Sequence, residues 1–352
     1  FFRKRGDEMN IQINWRKWRI SSVLMAGLLV GATVLGGCGL GDKSGDSGKG
    51  GLPVVATVYP AYDIAKQVGG DKVNVSLLVP PGTEPHDWEP TVKDLKAVGQ
   101  AKVFIYNGAG LEPSEKLLAP DNLKEAKPVE LAKSVEVMPI KSIDIDNETE
   151  TETGHDHDHH TDAAHHDDDG HDHHHHGTVD PHIWLNPMNV AKEVDAVVAA
   201  FSEADPANKD YYEANGKAYK EKLTALDAQY QAFAQTISNK DLVVTHEAFG
   251  YFANRYGFTQ LGIMGVAPDA EPTPERMASI ISFVKAHKVK AIFSEELVNP
   301  KLAEAIAKET GAKVYMLNPV EGLTEEQMKA GTTYLSVMED NLKVLKTALG
   351  GQ

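Results

Sequence analysis

Cysteine is nearly absent from this chain: Cys38 is the only one. A lone cysteine cannot close an internal disulfide, and it leaves no spare thiol for a metal cage. A bilayer-length apolar run is missing where one would be sought first. The apolar and small-residue stretch Ile20–Leu35 has sixteen residues, short of the roughly twenty that a spanning helix needs. Basic charge is in the minority, with 35 Lys and Arg against 51 Asp and Glu, for a formal net charge of −16. Nucleic-acid binding wants a basic face, so that class is set aside. The acidity is also local. From Asp144 to Asp180 there are thirteen acidic residues and no Lys or Arg, which leaves about −3 for everything else.

The most abundant signal is histidine. Eleven of the fifteen lie between His155 and His176: His155, His157, His159, His160, His165, His166, His171, His173, His174, His175 and His176. They are interleaved with aspartate. Imidazole nitrogen and carboxylate oxygen both bind divalent transition metals, so such a tract can hold several ions loosely. Its internal position and its aspartates distinguish it from an expression tag. It has no fixed geometry, and it reads as a low-affinity metal loop rather than the specific site. Setting it aside exposes four histidines: His86, His182, His246 and His287.

The organisation follows from composition. Residues 1–8 precede Met9 and are excluded from fold reasoning. Arg16, Lys17 and Arg19 precede the apolar stretch, which ends at Leu35-Gly36-Gly37-Cys38. Residues 1–37 thus read as a lipoprotein signal, with Cys38 the lipidated first residue of an exported, membrane-tethered chain. Residues 38–51 are a Gly/Ser/Asp/Lys tether. In 52–188, apolar runs at Val54–Val58, Val75–Val79 and Val103–Tyr106 alternate with helical patterns at Ala61–Val68 and Val92–Val98, which predicts a parallel α/β lobe. Residues 147–177 within it are polar and aromatic-free, and read as a disordered loop. In 189–238 a helix from Met188 to about Glu203 leads to a second one. The second is predicted to take Asp205 as N-cap and Pro206 as its first residue, and to run to about Ile237, a rod of roughly 46 Å. Asn215-Gly216 is a potential weak point in it. Its apolar positions Tyr212, Tyr219, Leu223, Leu226, Tyr230, Phe233 and Ile237 form one stripe, as a helix joining two lobes requires. Residues 239–352 repeat the α/β logic. Strands are predicted at Asp241–Thr245, Phe258–Met264, Val289–Phe293 and Lys313–Leu317, with helices at Pro274–His287, Pro300–Glu309 and Thr324–Leu349.

His86, His182 and His246 fall where strands give way to loops or helices, the places where open parallel sheets bind ligands. His287 ends an amphipathic helix, where it favours the helix dipole. Zinc is usually four-coordinate, so a fourth donor is sought among the carboxylates Glu247, Glu295, Glu296 and Glu321. Spacing alone does not choose between them.

The chain resembles the metal-binding lipoproteins of bacterial ABC transporters, specifically the zinc-uptake branch (the ZnuA/AdcA type). The likeness runs from about Val54 to Leu349. It rests on P-G-x-x-P-H-x-W-E-P, D-P-H-I-W-L-N-P, T-H-E-A-F-G-Y-F and L-N-P-V-E-G-L-T, around an acidic His-rich loop. It implies two similar lobes, each a parallel β-sheet flanked by helices, joined by one long helix, with Zn(II) in the cleft. It implies His86, His182, His246 and Glu321 as ligands, two from each lobe. It implies an ABC permease and ATPase as partners of a monomeric carrier. Manganese members place a carboxylate at the position of His246, and three imidazoles with one carboxylate suit zinc better. Some zinc relatives carry a second-lobe disulfide and a water ligand, and neither is expected here. Glu295, Glu247, Trp88 and Trp184 are expected to surround the ligands rather than bind the ion, with Phe249 and Tyr251 packing around the cleft. The rival readings are a manganese or iron carrier, a zinc hydrolase with Glu247 or Glu295 as base, and a surface adhesin. The H-E-x-x-H motif of many zinc hydrolases is absent.

Overall fold

The structure is a computed structural model that describes residues 50–140, 145, 178–268 and 271–350. The expected signal segment, Cys38, nearly all of the tether and the His/Asp tract lie outside the described residues. In the first lobe the chain runs β1 (Leu52–Ala56), α1 (Tyr59–Gly69), β2 (Val73–Leu77), α2 (Val92–Gln100), β3 (Val103–Tyr106), α3 (Ser114–Leu117), α4 (Pro120–Leu123) and β4 (Lys127–Glu130). The strands are parallel in the order β2-β1-β3-β4. Val54 is the hub, registered with Val75 on one side and Val103 on the other. Every residue of β3 is buried, as a central parallel strand covered on both faces requires. The sequence reading missed β4. Its residues K-P-V-E do not alternate in polarity, and Pro128 fits because the strand is an edge, where a missing N–H is tolerated.

Two helices lead to the second lobe: α5 (Pro187–Ala204) and α6 (Lys209–Thr236). The Asn186 side chain caps α5 by accepting from the Met188 N–H, with Pro187 at the first turn. The predicted start of the long helix needs correction. Pro206–Asn208 forms a 3-10 turn, and the α-helix begins at Lys209. Asp205 does not cap it. Its carboxylate instead accepts from Asn208 Nδ2 and the Tyr212 hydroxyl. The 28 residues of α6 span about 42 Å. Gly216 is a point of close approach rather than weakness: a Cβ there would lie 2.5 Å from Val198 Cγ2 of α5. Tyr219 donates to buried Asp63 of α1 at 2.8 Å. Tyr230 donates to the Met338 carbonyl, and Arg255 and Tyr256 both bond Asp227. One helix is thereby fixed to both lobes.

The second lobe runs β5 (Asp241–Val244), α7 (Gly250–Tyr256), β6 (Thr259–Gly262), α8 (Pro274–Ala286), β7 (Ala291–Ser294), α9 (Lys301–Thr310), β8 (Lys313–Met316), α10 (Glu325–Ala330) and α11 (Tyr334–Leu349). Its parallel order, β6-β5-β7-β8, repeats the winding of the first lobe. The helix expected over Thr324–Leu349 is two helices. Gly331, at φ +75, ends α10, and Thr333 opens α11 through a capping box with Ser336. Among the described residues no helix is long and apolar enough to cross a membrane.

Candidate metal centre

The carboxyl ends of the strands bring four side chains together. His86 sits in the 3-10 turn Pro85–Asp87, on the loop after β2. The Glu84 carboxylate caps that turn by accepting from the His86 N–H. His182 precedes the 3-10 turn Ile183–Leu185 that feeds α5. His246 lies two residues beyond β5, and Glu321 lies on the loop after β8. Each offers one donor atom, and the four donors lie within 4.8 Å of one another. Glu321 Oε1 is 2.8 Å from His182 Nε2, 3.0 Å from His246 Nε2 and 3.8 Å from His86 Nε2. The Nε2 atoms of His86 and His182 are 3.1 Å apart. Two donors come from each lobe. His287 is elsewhere, stacked on Phe283 and bonded to Asp241.

The backbone delivers Glu321 under strain. Val320 is fully buried with φ +62, a left-handed conformation that a β-branched residue adopts at a cost. Asn318 holds it there. Its Oδ1 accepts from the Val320 N–H, while its own backbone exchanges two hydrogen bonds with Asn341. The Trp184 indole donates to the Pro319 carbonyl at 2.7 Å and meets His182 edge-on, tying the first lobe to the same turn.

Two of the three rings are oriented through their far nitrogen. Asp180 Oδ1 is 2.8 Å from His182 Nδ1, and Glu295 Oε1 is 2.7 Å from His246 Nδ1. A carboxylate at Nδ1 fixes the proton there and turns the Nε2 lone pair toward the other donors. Asp180 also accepts from the His182 N–H, and Glu295 from the Thr245 hydroxyl. His86 Nδ1 has no such partner among the described residues. Glu247 is buried and lines, with Asp180, a separate cavity of about 250 Å³. Trp88, Phe249 and Tyr251 are buried packing residues. The Tyr251 hydroxyl donates to the Asp180 carbonyl.

The electrostatics match a cation site. Burial works to lower the His182 pKa, but Asp180 and Glu321 outweigh it and bring it up to about 9. The same opposition, with Glu295 and Glu321 prevailing over burial, raises His246 well above the usual imidazole range. Burial lowers His86. Burial opposes ionisation of Glu321, yet the histidines, His246 foremost, hold its pKa well below the carboxylate range. Burial, with Glu321 adding to it, pushes Glu84 up to about 8. The second oxygen of Glu321 and one oxygen of Glu84 are buried without a hydrogen-bond partner. Such orphan acceptors are costly unless a cation or proton satisfies them. Sequence reasoning overlooked Asp180, legible as the residue two before His182, and Glu84, whose role depends on its proximity to Glu321 of the other lobe.

Three imidazole nitrogens and one carboxylate oxygen match, in number and type, the donors that zinc takes in closed sites. Two lobes on one backbone helix, with that donor set between them, define a two-lobed metal-binding protein. The zinc-uptake complex component A family (ZnuA, periplasmic) matches residues 54–348, and the chain belongs to it. It is 37% identical over 340 residues to the high-affinity zinc uptake system protein ZnuA of Bacillus subtilis, covering 95% of this chain and 98% of that one. It is 39% identical over 298 residues to the zinc-binding lipoprotein AdcA of Streptococcus pneumoniae, and spans 56% of that protein's length. The Zn(II)-bound ZnuA-like domain of S. pneumoniae AdcA superposes with a TM-score of 0.67 at 36% identity, covering 85% of this chain and 99% of the domain. The laminin-binding protein Lmb of Streptococcus agalactiae, described as having adhesin and metal-transporting activity, superposes with a TM-score of 0.70 at 32% identity, covering 85% of this chain and 99% of Lmb.

Proposed function

We propose that this protein captures Zn(II) outside the cytoplasmic membrane with His86, His182, His246 and Glu321 and delivers it to an ABC permease and its ATPase. The observation that carries this reading is the convergence of four donors, two from each lobe, within 4.8 Å. Four protein donors fill a tetrahedral shell, which favours capture over catalysis because catalytic zinc keeps one position for water. Cys38 supplies the lipid anchor, and the eleven tract histidines are a low-affinity antenna. The manganese and iron reading is weakened by the third imidazole. The test is a zinc titration of the protein with Asn147–Gly177 deleted, alone and with His86, His182 and His246 all replaced by alanine. One tight zinc in the first and none in the second is expected. A tight zinc in the triple variant overturns the ligand assignment. Likeness to Lmb gives adhesion as a second reading, which binding to immobilised laminin tests.

A further inference from the structure

Among the described residues, four other than glycine have positive φ: Ala109, Lys124, Lys288 and Val320. Lys124 caps α4 and Lys288 follows the C-cap of α8, places where a chain readily turns left-handed. Ala109 lies between two glycines. Val320 has no such setting. It is β-branched, fully buried, part of the main core and immediately N-terminal to Glu321. Glycine would take its φ of +62 without strain, and a strained residue persists only where its surroundings over-determine it. They do so here. Asn318 accepts from the Val320 N–H, exchanges two hydrogen bonds with Asn341 of α11 and donates to Glu296 at 3.2 Å. The ring of Pro319 restricts φ at the residue between, and its carbonyl accepts from the Trp184 indole of the first lobe. The Val320 side chain, stiff at χ1, is anchored in the core at the same time.

What this turn controls is one carboxylate. Glu321 Oε1 faces the Nε2 atoms of His182 and His246 at 2.8 and 3.0 Å, while Oε2 is buried and makes no hydrogen bond. Beside Glu321 lies a cavity of only about 10 Å³, room for no more than about one water. We infer that Val320 is a positioning residue that sets metal specificity: its strained turn holds Glu321 as a one-oxygen donor and so disfavours ions that need more than four ligands. The inference rests on the ligand assignment above. A four-coordinate ion is satisfied by three imidazoles and Oε1. Manganese and calcium seek oxygen and six or more ligands. Here such an ion must recruit Oε2 and solvent, which requires the carboxylate and the backbone behind it to give way. A hold on Val320 is therefore a hold on coordination number.

The test measures zinc and manganese affinities of the full chain by competition with chelators. The chain with His86, His182 and His246 all replaced by alanine serves as the blank for the His/Asp tract. Val320→Gly is expected to lower the ratio of zinc to manganese affinity by at least about tenfold. Asn318→Ala, which frees the Val320 N–H, should lower it in the same direction by less, and provides the reading should glycine at position 320 disturb folding. Ile306→Ala opens a cavity at another fully buried position of the second lobe. It should lower stability and leave the ratio alone, which separates specificity from general loosening. Cobalt(II) gives a spectroscopic signature: the intense visible bands of a tetrahedral ion, present in the parent, should weaken in Val320→Gly as the coordination number rises. An unchanged ratio in both turn variants, with zinc lost from the triple histidine variant, overturns the role of Val320 and leaves the ligand assignment standing. Tight zinc in the triple variant overturns the assignment, and this inference with it.

Discussion

The two lobes share one winding but hold the four donor side chains differently. In the second lobe His246 lies just past β5, and its Nδ1 is held by Glu295, the residue after β7. Glu321 is locked by a strained, hydrogen-bonded turn. In the first lobe His182 has the same device in Asp180, but His86 rides on a short 3-10 turn, its far nitrogen unheld among the described residues. The difference separates three preset donors from one adjustable donor. A structural zinc shell is worth ~10–16 kcal/mol over four ligands, so deleting one ligand is expected to weaken binding by about 10²–10³-fold. The comparison predicts an order within that range. His182→Ala, His246→Ala and Glu321→Ala should fall at the upper end, because each also strands a buried carboxylate or imidazole partner, and His86→Ala at the lower end. Competition titrations against a chelator measure this, and equal losses at all four positions would remove the distinction.

The lobes also meet at a carboxyl group that plays no part in the site. Glu193 on α5 is fully buried, neither of its oxygens has a hydrogen-bond partner, and burial pushes its pKa up to about 8. It lies close enough to Tyr251 of α7 and Tyr334 of α11 to influence their ionisation. The unfolded chain releases this proton near the ordinary value of 4.5, the folded one near 8. Its neutral form therefore supports the fold fully below the lower value, and that support drains away as pH rises to the upper one, by about 1.4 kcal/mol per pH unit. Glu193→Gln should abolish this contribution. Urea unfolding of both proteins between pH 6 and 9 should show curves that diverge as pH rises, the variant being the more stable. Parallel curves would show that Glu193 is already ionised or reached by water.

The carboxylates behind the two held rings come next in size. Loss of such a partner typically costs 10–100-fold in metal affinity. Asp180→Asn and Glu295→Gln should fall in that range with all four ligands in place. The pH response sharpens the reading. His182, with its pKa near 9 in the metal-free protein, must release a proton to bind zinc, so affinity should rise as pH increases toward that value. Asp180→Asn removes part of what raises the pKa, and should flatten the rise at its upper end. Calorimetry in buffers of different protonation enthalpy counts the released protons. An unchanged count in the variant would show that Asp180 does not hold the His182 proton.

Much of this was legible in the chain itself. Apolar runs and helical periodicity located seven of the eight strands and the long helix, because burial on both sheet faces or on one helix stripe leaves a periodic record. β4 left none: K-P-V-E owes its pairing to an edge that β3 offers. The break at Gly331–Thr333 was written in turn chemistry, a glycine at a left-handed position followed by a capping threonine, rather than in periodicity. The three histidines emerged by subtracting the tract. Glu321 needed the family resemblance, since what distinguishes it from Glu295, Glu296 and Glu247 is the left-handed Val320 that aims it, a backbone property with no spacing signature. Asp180 was within reach through its two-residue offset from His182. Glu84 was not, because what marks it is its proximity to Glu321 of the other lobe, with which it lines one small cavity.

Gly216 gives the smallest effect and bears on how the lobes are joined. Read from sequence, Asn215-Gly216 is a soft spot in the connecting helix, and alanine there should stabilise by up to about 1 kcal/mol through helix propensity. The structure reverses the sign. A Cβ at Gly216 would sit 2.5 Å from Val198 Cγ2 and 3.4 Å from Val194 Cγ1, and overpacking of this kind costs about 1–3 kcal/mol. The steric cost exceeds the propensity gain, so Gly216→Ala should lower stability by about 1 kcal/mol net. Adding Val198→Ala should recover most of that loss, since it removes the atoms in conflict while the newly introduced methyl group fills part of the space. Thermal unfolding of the single and double variants decides between the two readings. A stabilised single variant would mean that α5 and α6 part easily, and that the first lobe is less firmly joined to the helix than Tyr219 and Asp63 imply.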